Sequence, residues 1–305
     1  MQITRRLNDR GRRAGHARAL VLLLVSFVAM PAPSAFGGDF SRGLLWRIEP
    51  AGGEPSYLFG TIHSEDARVL ALAPPVRQAF DGARQVCLEI PMDPVTLVKT
   101  SVAMMLTDDS RTLKDIVGDD LYRKTVQALA DYAIPEIVAE RLKPWAAATT
   151  LTLPRPMTGK VLDSTFYEDG VAAGKAVDGL ETIDEQLQVF ENIKESDQVA
   201  MLRDTVDHLS DVREEYDAML SAWLDRDLDK LVALGEASLQ RTDGDFFKDF
   251  ERILITSRNH RMDERMQPYL KTGGAFVAVG ALHLPGGEGL LNLLEKRGYS
   301  VVRVW

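Results

Sequence analysis

Cysteine is nearly absent from this sequence. Cys87 is the single one in 305 residues, which excludes an intramolecular disulfide framework and any zinc site built from cysteines. Histidine is scarce too, at five residues. With His16 in the N-terminal segment, imidazole chemistry has to be sought at His63, His208, His260 and His283. Basic residues are outnumbered, 36 Lys and Arg against 45 Asp and Glu. Six of the Arg fall within residues 1–37, beside one acid, so the remainder carries 30 bases against 44 acids. An acidic body of this kind repels a phosphate backbone and excludes nucleic acid as a partner. No Walker loop, dinucleotide fingerprint or Gly-x-Ser-x-Gly elbow is present, so nucleotide chemistry and serine hydrolysis have no support. A polytopic membrane protein is excluded as well, because no series of roughly 20-residue apolar runs exists.

What remains is ordinary globular composition, 45% hydrophobic and 27% charged, with a targeting segment in front. The Arg-rich stretch leads into an apolar run, Ala19–Met30, and then into small residues around Ser34–Gly37. That is the layout of a signal peptide over residues 1–37, with cleavage favoured after Gly37. The expectation is a periplasmic or secreted protein, touching the membrane only through this segment and anchored in the inner membrane if it stays uncleaved.

Residues 38–305 read as one domain. Leu44–Ile48 and Ser56–Phe59 flank a Pro/Gly turn and predict a hairpin. Pro74-Pro75 opens a helix with an apolar face of Val76, Ala79, Phe80 and Ala83, and Gln85–Ile90 follows as a strand. Strand, helix and strand at this spacing predict a βαβ unit with a parallel pair. Residues 95–270 read as mainly helical, interrupted at Pro135 and Pro144. They contain a short strand candidate at Lys175–Val177 and a capping box at Thr182–Glu185. Gly274–Val279 is a buried-type strand. A Gly-rich loop, a helix over Gly289–Arg297 with Gly298 as its cap, and a last strand over Tyr299–Val304 follow. The fold class is therefore α/β (α+β). Its central mixed sheet is built from both chain ends, about 43–92 and 272–305, around a large helical insertion over about 95–270.

Two histidines share a context. His63 and His283 each follow an apolar strand, a Gly and two further residues: Phe59-Gly60-Thr61-Ile62-His63 and Val279-Gly280-Ala281-Leu282-His283. A Gly at a strand end allows close backbone approach, and the His then projects from the carboxyl edge of the sheet, where α/β folds place ligands. Two such imidazoles on neighbouring strands can share a metal ion, or can be hydrogen-bonded loop residues. Glu89 lies in an apolar strand, where a carboxylate is costly without a cation, a metal or several donors. It reads as a third ligand or a general base, or as a strand-end acid paired with an Arg. Arg258 lies on the Leu254/Met262 stripe of its helix and points to a carboxylate, Glu181 or Glu89, or to an anionic substrate group. Glu181 and Gln186 flank a helix start, where Glu181 can serve the cap alone. The loop Leu284–Gly289 can present backbone N–H groups to an anion.

Taken together, Tyr57–His63, Leu88-Glu89, Lys143-Pro144-Trp145, Leu180-Glu181-Thr182 with Glu185-Gln186, Arg258-Asn259 and Val279–Gly286 resemble the TraB/GumN family, to which the Tiki metalloproteases are related. The resemblance runs over about residues 43–305 in the family's order. It implies a fold similar to that of the erythromycin esterase and ChaN relatives. It also implies divalent-metal-dependent peptide cleavage, with manganese or cobalt favoured. His63, His283 and Glu89 would then be the metal and catalytic residues, Arg258 and Asn259 would serve catalysis, and Glu181, Gln186 and Tyr57 would support the substrate. The expected partner is a peptide or another small substrate. The alternative is a non-catalytic binding protein that sequesters a peptide or a haem-like ligand, and a metal-free esterase using His63 and Glu89 is a third reading.

Overall fold

A computed structural model describes residues 40–240 and 252–305. The segment expected to be a signal peptide, residues 1–37, lies outside the described residues, as does part of the expected helical stretch. Six strands form one sheet: β1 (Leu45–Glu49), β2 (Ser56–Thr61), β3 (Gln85–Leu88), β4 (Ala176–Gly179), β5 (Ala275–Gly280) and β6 (Ser300–Arg303), in the order β4-β3-β5-β2-β1-β6. The sheet is mixed, and five of these strands come from the two chain ends, as the sequence predicts, while β4 comes from within the helical stretch, at the short strand candidate. β1 and β2 form the expected antiparallel hairpin, with Leu45 opposite Phe59, and β6 closes the far edge against β1.

One expectation needs correction. β2 and β3 run parallel but are not neighbours, because β5 lies between them and pairs in parallel with both. The reason is burial. Ala275–Val279 is fully buried, so this strand needs partners on both edges and cover on both faces, which only the centre of the sheet supplies. Phe276 of β5 meets Phe166 at 5.0 Å and Phe80 at 5.5 Å between ring centroids, anchoring the helices Leu162–Ala172 and Pro74–Gly82 on one side of the sheet. Truncating a buried ring in such a cluster costs about 3–5 kcal/mol.

The helical segment has a core of its own. Helices Asp119–Ala130, Pro144–Thr152 and Glu195–Asp207 enclose Leu129, Trp145, Leu151 and Met201, with Trp145 stacked on Phe190 at 5.1 Å. Pro144 does not merely interrupt; it opens its helix at the first turn, where no N–H is required. No helix among the described residues is long and apolar enough to cross a membrane.

The two cores meet along one helical rod. A wide π turn over Arg252–Thr256 places Leu254 and Ile255 in the helical core. The α-helix that continues it, Ser257–Thr272, places Met262, Met266 and Leu270 under the sheet. Arg258 falls at the junction, and so does the site described next.

Candidate active site

The parallel ladder brings the two Gly-x-x-His motifs to the same sheet edge. Gly60 is in register with Val279, and Thr61 with Gly280. The ladder also continues past β3 and β4: Glu89 N–H donates to Ala278 O at 3.0 Å and Glu181 N–H donates to Glu89 O at 2.9 Å. Glu89, Glu181 and the start of the 280–283 turn therefore stand side by side at the carboxyl ends of adjacent strands.

Arg258 is the hub between the two carboxylates. Its guanidinium is almost fully buried and donates to Glu89 Oε1, to Glu181 Oε2 (2.8 Å from Nε) and to Leu254 O at 3.2 Å. Gln186 ties the same pair from the other side, at 2.8 Å to Glu89 and 3.1 Å to Glu181. Arg261 reaches Glu181 at 3.2 Å. Arg258 thus meets both of its expected acids at once. Glu181 is a buried ion-pair member, while the cap itself is made by Thr182 and Glu185. Burial pushes Glu89 up, but the Arg258 charge and the Gly280 N–H, which donates to Oε2 at 3.0 Å, prevail and hold it at about 2. Glu89 is a carboxylate at any ordinary pH.

His283 is fully buried in a short 3₁₀ turn, Ala281–His283. Its Nδ1 lies 2.6 Å from Asn259 Oδ1, and the Asn259 amide N–H in turn donates to Glu288 O at 2.8 Å. That relay fixes the amide orientation and assigns the ring proton to Nδ1. Nε2 is left as a bare acceptor. It is buried, has no hydrogen-bond partner among the described residues, and stands 3.9 Å from Glu89 Oε2. Burial, reinforced by the Arg258 charge, lowers the His283 pKa to about 3, so the ring is neutral. The Gly-rich loop braces Asn259 through the Glu288 carbonyl, and its Glu288 carboxylate faces His260 at 2.8 Å.

His63 is placed differently. Its side chain is 43% exposed, and its Nδ1 faces Asp163 Oδ2 at 3.4 Å. Asp163 is buried at the start of the helix Leu162–Ala172 and also accepts from Thr61 Oγ1 at 3.1 Å. Burial lowers the His63 pKa, but the hydrogen bond to Asp163 and the charges of Asp163 and Glu89 outweigh it, and the net shift is upward. Both motif histidines therefore turn Nδ1 to a side-chain oxygen, one an amide and one an acid.

Tyr57 does not join the cluster. It sits at the opposite end of β2, in a recess with Glu54, Pro75 and Gln78. Four residues along a strand are enough to carry a side chain from one edge of the sheet towards the other. His208 contacts Asp204 O at 3.0 Å, away from the site. Asp163 is the member the sequence hides, because an acid in the first turn of a helix normally reads as a dipole partner. Only its burial beside Thr61 reveals it.

The two motif glycines serve different ends. A Cβ on Gly60 would lie 2.9 Å from Ala281 Cα and 2.8 Å from Leu284 Cδ1, so the two motifs can pack only without it. A Cβ on Gly280 would make ordinary contacts, 3.5 Å from His283 Cδ2 and 3.6 Å from Glu89 Oε2, and would fill the space between them. Gly60→Ala is expected to cost about 1–3 kcal/mol, while Gly280→Ala stays within about 1 kcal/mol of wild type yet blocks that space. Thermal unfolding of the two variants checks this, and equal losses would show that both glycines are purely packing residues.

This donor set fits a divalent ion in part. A neutral imidazole Nε2 beside an ionised carboxylate, across a space that a methyl group would fill, offers two donors to a divalent ion without selecting which one, and an oxygen acceptor on the far ring nitrogen orients a liganding His. Among the described residues, however, no group of three or more His, Cys, Asp or Glu side chains comes together as a ready cage.

The TraB/PrgY/gumN family profile matches residues 44–303. The chain belongs to this family. Among its relatives are metalloprotease TIKI2 of Danio rerio, 25% identical over 314 residues (85% of this chain, 60% of the relative), and metalloprotease TIKI1 of Homo sapiens, 24% identical over 313 residues (85% and 61%). A metalloprotease TIKI homolog of Amphimedon queenslandica is 22% identical over 345 residues (93% and 67%). The chain thus spans about three-fifths of the first of these family members. No solved structure matches it, so the expected likeness to the erythromycin esterase and ChaN relatives has no solved structure behind it.

Proposed function

We propose that this TraB/PrgY/gumN member is an exported, metal-dependent peptidase. The observation that carries the reading is the bare, neutral Nε2 of His283, buried 3.9 Å from the Glu89 carboxylate. His283 and Glu89 would hold the ion. When bound, a divalent ion polarises a peptide carbonyl and makes hydroxide accessible near neutral pH. Asn259 keeps the His283 proton on Nδ1, and so keeps the acceptor nitrogen turned to the site. Arg258 and Gln186 fix Glu89 in place and keep it ionised. His63, backed by Asp163 and standing at the open side, is assigned the proton transfers, taking a proton at Nε2 and returning it to the leaving amine. The upward shift of the His63 pKa, set by Asp163 and Glu89 against burial, favours the protonated ring that hands a proton to the leaving amine. The Arg-led apolar N-terminal segment supports export, and the similarity to proteins named metalloproteases supports peptide bonds as the target.

The test is turnover of a peptide library with manganese or cobalt, run beside direct measurement of bound metal. His283→Ala is expected to lose both metal and turnover. His63→Ala is expected to keep the metal and lose turnover by about 10²–10⁴-fold, the usual weight of a general acid–base group. Equal turnover in wild type and both variants would end the reading. The scarcity of ready metal donors among the described residues favours one alternative, a protein that retains a peptide or haem-like ligand without cutting it. Tight retention with no turnover in any metal would establish that instead.

A further inference from the structure

Beside His63 lies a small cavity of about 170 Å³. Ile134, Leu153, Pro154 and Val161 supply apolar walls, and Tyr132 supplies a ring. Apart from His63, its polar side chains are engaged elsewhere. The Tyr132 hydroxyl donates to Leu151 O and Leu153 O, at 3.2 and 2.7 Å. Glu65, two residues after His63, turns its carboxylate to the backbone N–H groups of Met157 and Gly159, at 2.9 and 3.1 Å. Those bonds fasten the 157–159 loop to the segment after β2 that carries His63, so the cavity wall is tied to the candidate site. On the other side the Tyr216 hydroxyl donates to His63 O at 3.0 Å.

We infer that this cavity receives one apolar side chain, of leucine to phenylalanine size, from a peptide whose scissile bond lies at the His63/His283 site. The inference rests on the peptidase reading for its last clause only. Size decides the occupant: whole small-molecule ligands occupy pockets of roughly 300–1,000 Å³, and this one holds a single side chain. Chemistry decides the class: most of the wall is apolar and the Glu65 carboxylate is already bonded to the 157–159 loop, so a charged side chain would lose hydration for little return. Position decides the role, because His63 is itself part of the wall. Tyr132, Leu153 and Pro154 also wall a larger recess of about 390 Å³ that reaches Arg213 and Tyr216, which gives a peptide chain room to continue.

The experiment uses N-acetyl amides of Leu, Phe, Gly, Asp and Lys. Each is titrated into the protein and followed by methyl NMR at Ile134 and Val161, and peptides carrying the same residues are assayed for turnover with manganese. The Leu and Phe amides are expected to bind at least about tenfold tighter than the Gly, Asp and Lys amides, the scale on which apolar pockets discriminate. Ile134→Trp, which fills the cavity, is expected to abolish that preference and leave the Gly amide unchanged. Equal binding across the panel in wild type, which needs no variant to fold, overturns the inference. If the apolar amides bind here and no peptide is cut, the pocket stands and the peptidase reading falls. If peptides are cut without any apolar preference and the panel shows none, the peptidase reading stands and the pocket falls.

Discussion

Arg258→Ala is expected to remove about 3–5 kcal/mol of folding stability, the cost of stripping the partner from a buried ion pair. The large value follows from what is left behind. Glu89 and Glu181 are both buried and both bonded to the same guanidinium. Without it, Gln186 still donates to each acid and Arg261 still reaches Glu181, but Glu89 has no cation in contact among the described partners. The variant should therefore take up a proton at Glu89, whose pKa rises towards and beyond its ordinary value. Arg258→Lys rescues little, because a single ammonium does not reproduce a planar fork that serves two carboxylates and the Leu254 carbonyl. A urea-unfolding double-mutant cycle checks the assignment. Glu89→Gln combined with Arg258→Met should cost clearly less than the two single changes added together. An Arg258→Ala protein within 1 kcal/mol of wild type would show that the network is not what holds the seam between the two cores.

The second large effect is on acid stability, and its sign is set by His283 and Glu89. His283 has its pKa depressed from 6.5 to about 3. Its contribution is complete above pH 6.5 and is lost as pH falls towards 3, because the unfolded chain takes up a proton that the folded protein refuses. Glu89 is depressed from 4.5 to about 2, so its contribution is complete above pH 4.5 and is lost below it. The raised His63 works the other way, with stability present below pH 6.5 and lost as pH rises through its folded value, but its side chain is 43% exposed and the effect is small. The chelated protein is therefore expected to lose about 2–3 kcal/mol between pH 6.5 and 4.5 through His283 alone, with a further loss below pH 4.5 through Glu89. Urea midpoints at pH 7.5, 5.5 and 4.5 in EDTA, for wild type and His283→Gln, separate the two. The variant should show a flatter fall above pH 4.5. Identical slopes in both proteins would mean that His283 is not the buried neutral ring described above.

Much of this arrangement was legible from the chain because its signals are local. The β1–β2 hairpin is bracketed by its turn, β5 is a continuous apolar run, and each Gly-x-x-His motif carries its strand with it. Glu89 stood out as an acid inside apolar text, and Arg258 as a cation on an apolar stripe, and each meets a partner the sequence could nominate. What was not legible depends on long-range placement. Nothing near residue 275 says that this strand will part β2 from β3; only its need for cover on both faces does. Asp163 lies a hundred residues from His63 in the chain and looks like any acid of a first helical turn. Tyr57 belongs to the same contiguous motif as His63, yet the strand between them separates them. Asn259 was expected to serve catalysis, but its contacts, an oxygen facing His283 and an amide donating to the Glu288 carbonyl, could not be named from the chain.

The central place of β5 bears on how the molecule comes to exist during synthesis. Until residues 275–280 emerge from the ribosome, β2 and β3 have no shared neighbour, the buried guanidinium lacks the turn that completes its surroundings, and His283 has not been made. A chain stalled or clipped before that point would hold the first imidazole and the first carboxylate with nothing to bring them together. Chemistry of the kind proposed would therefore require β5 and the turn after it, which would keep copies cut short before residue 275 inert.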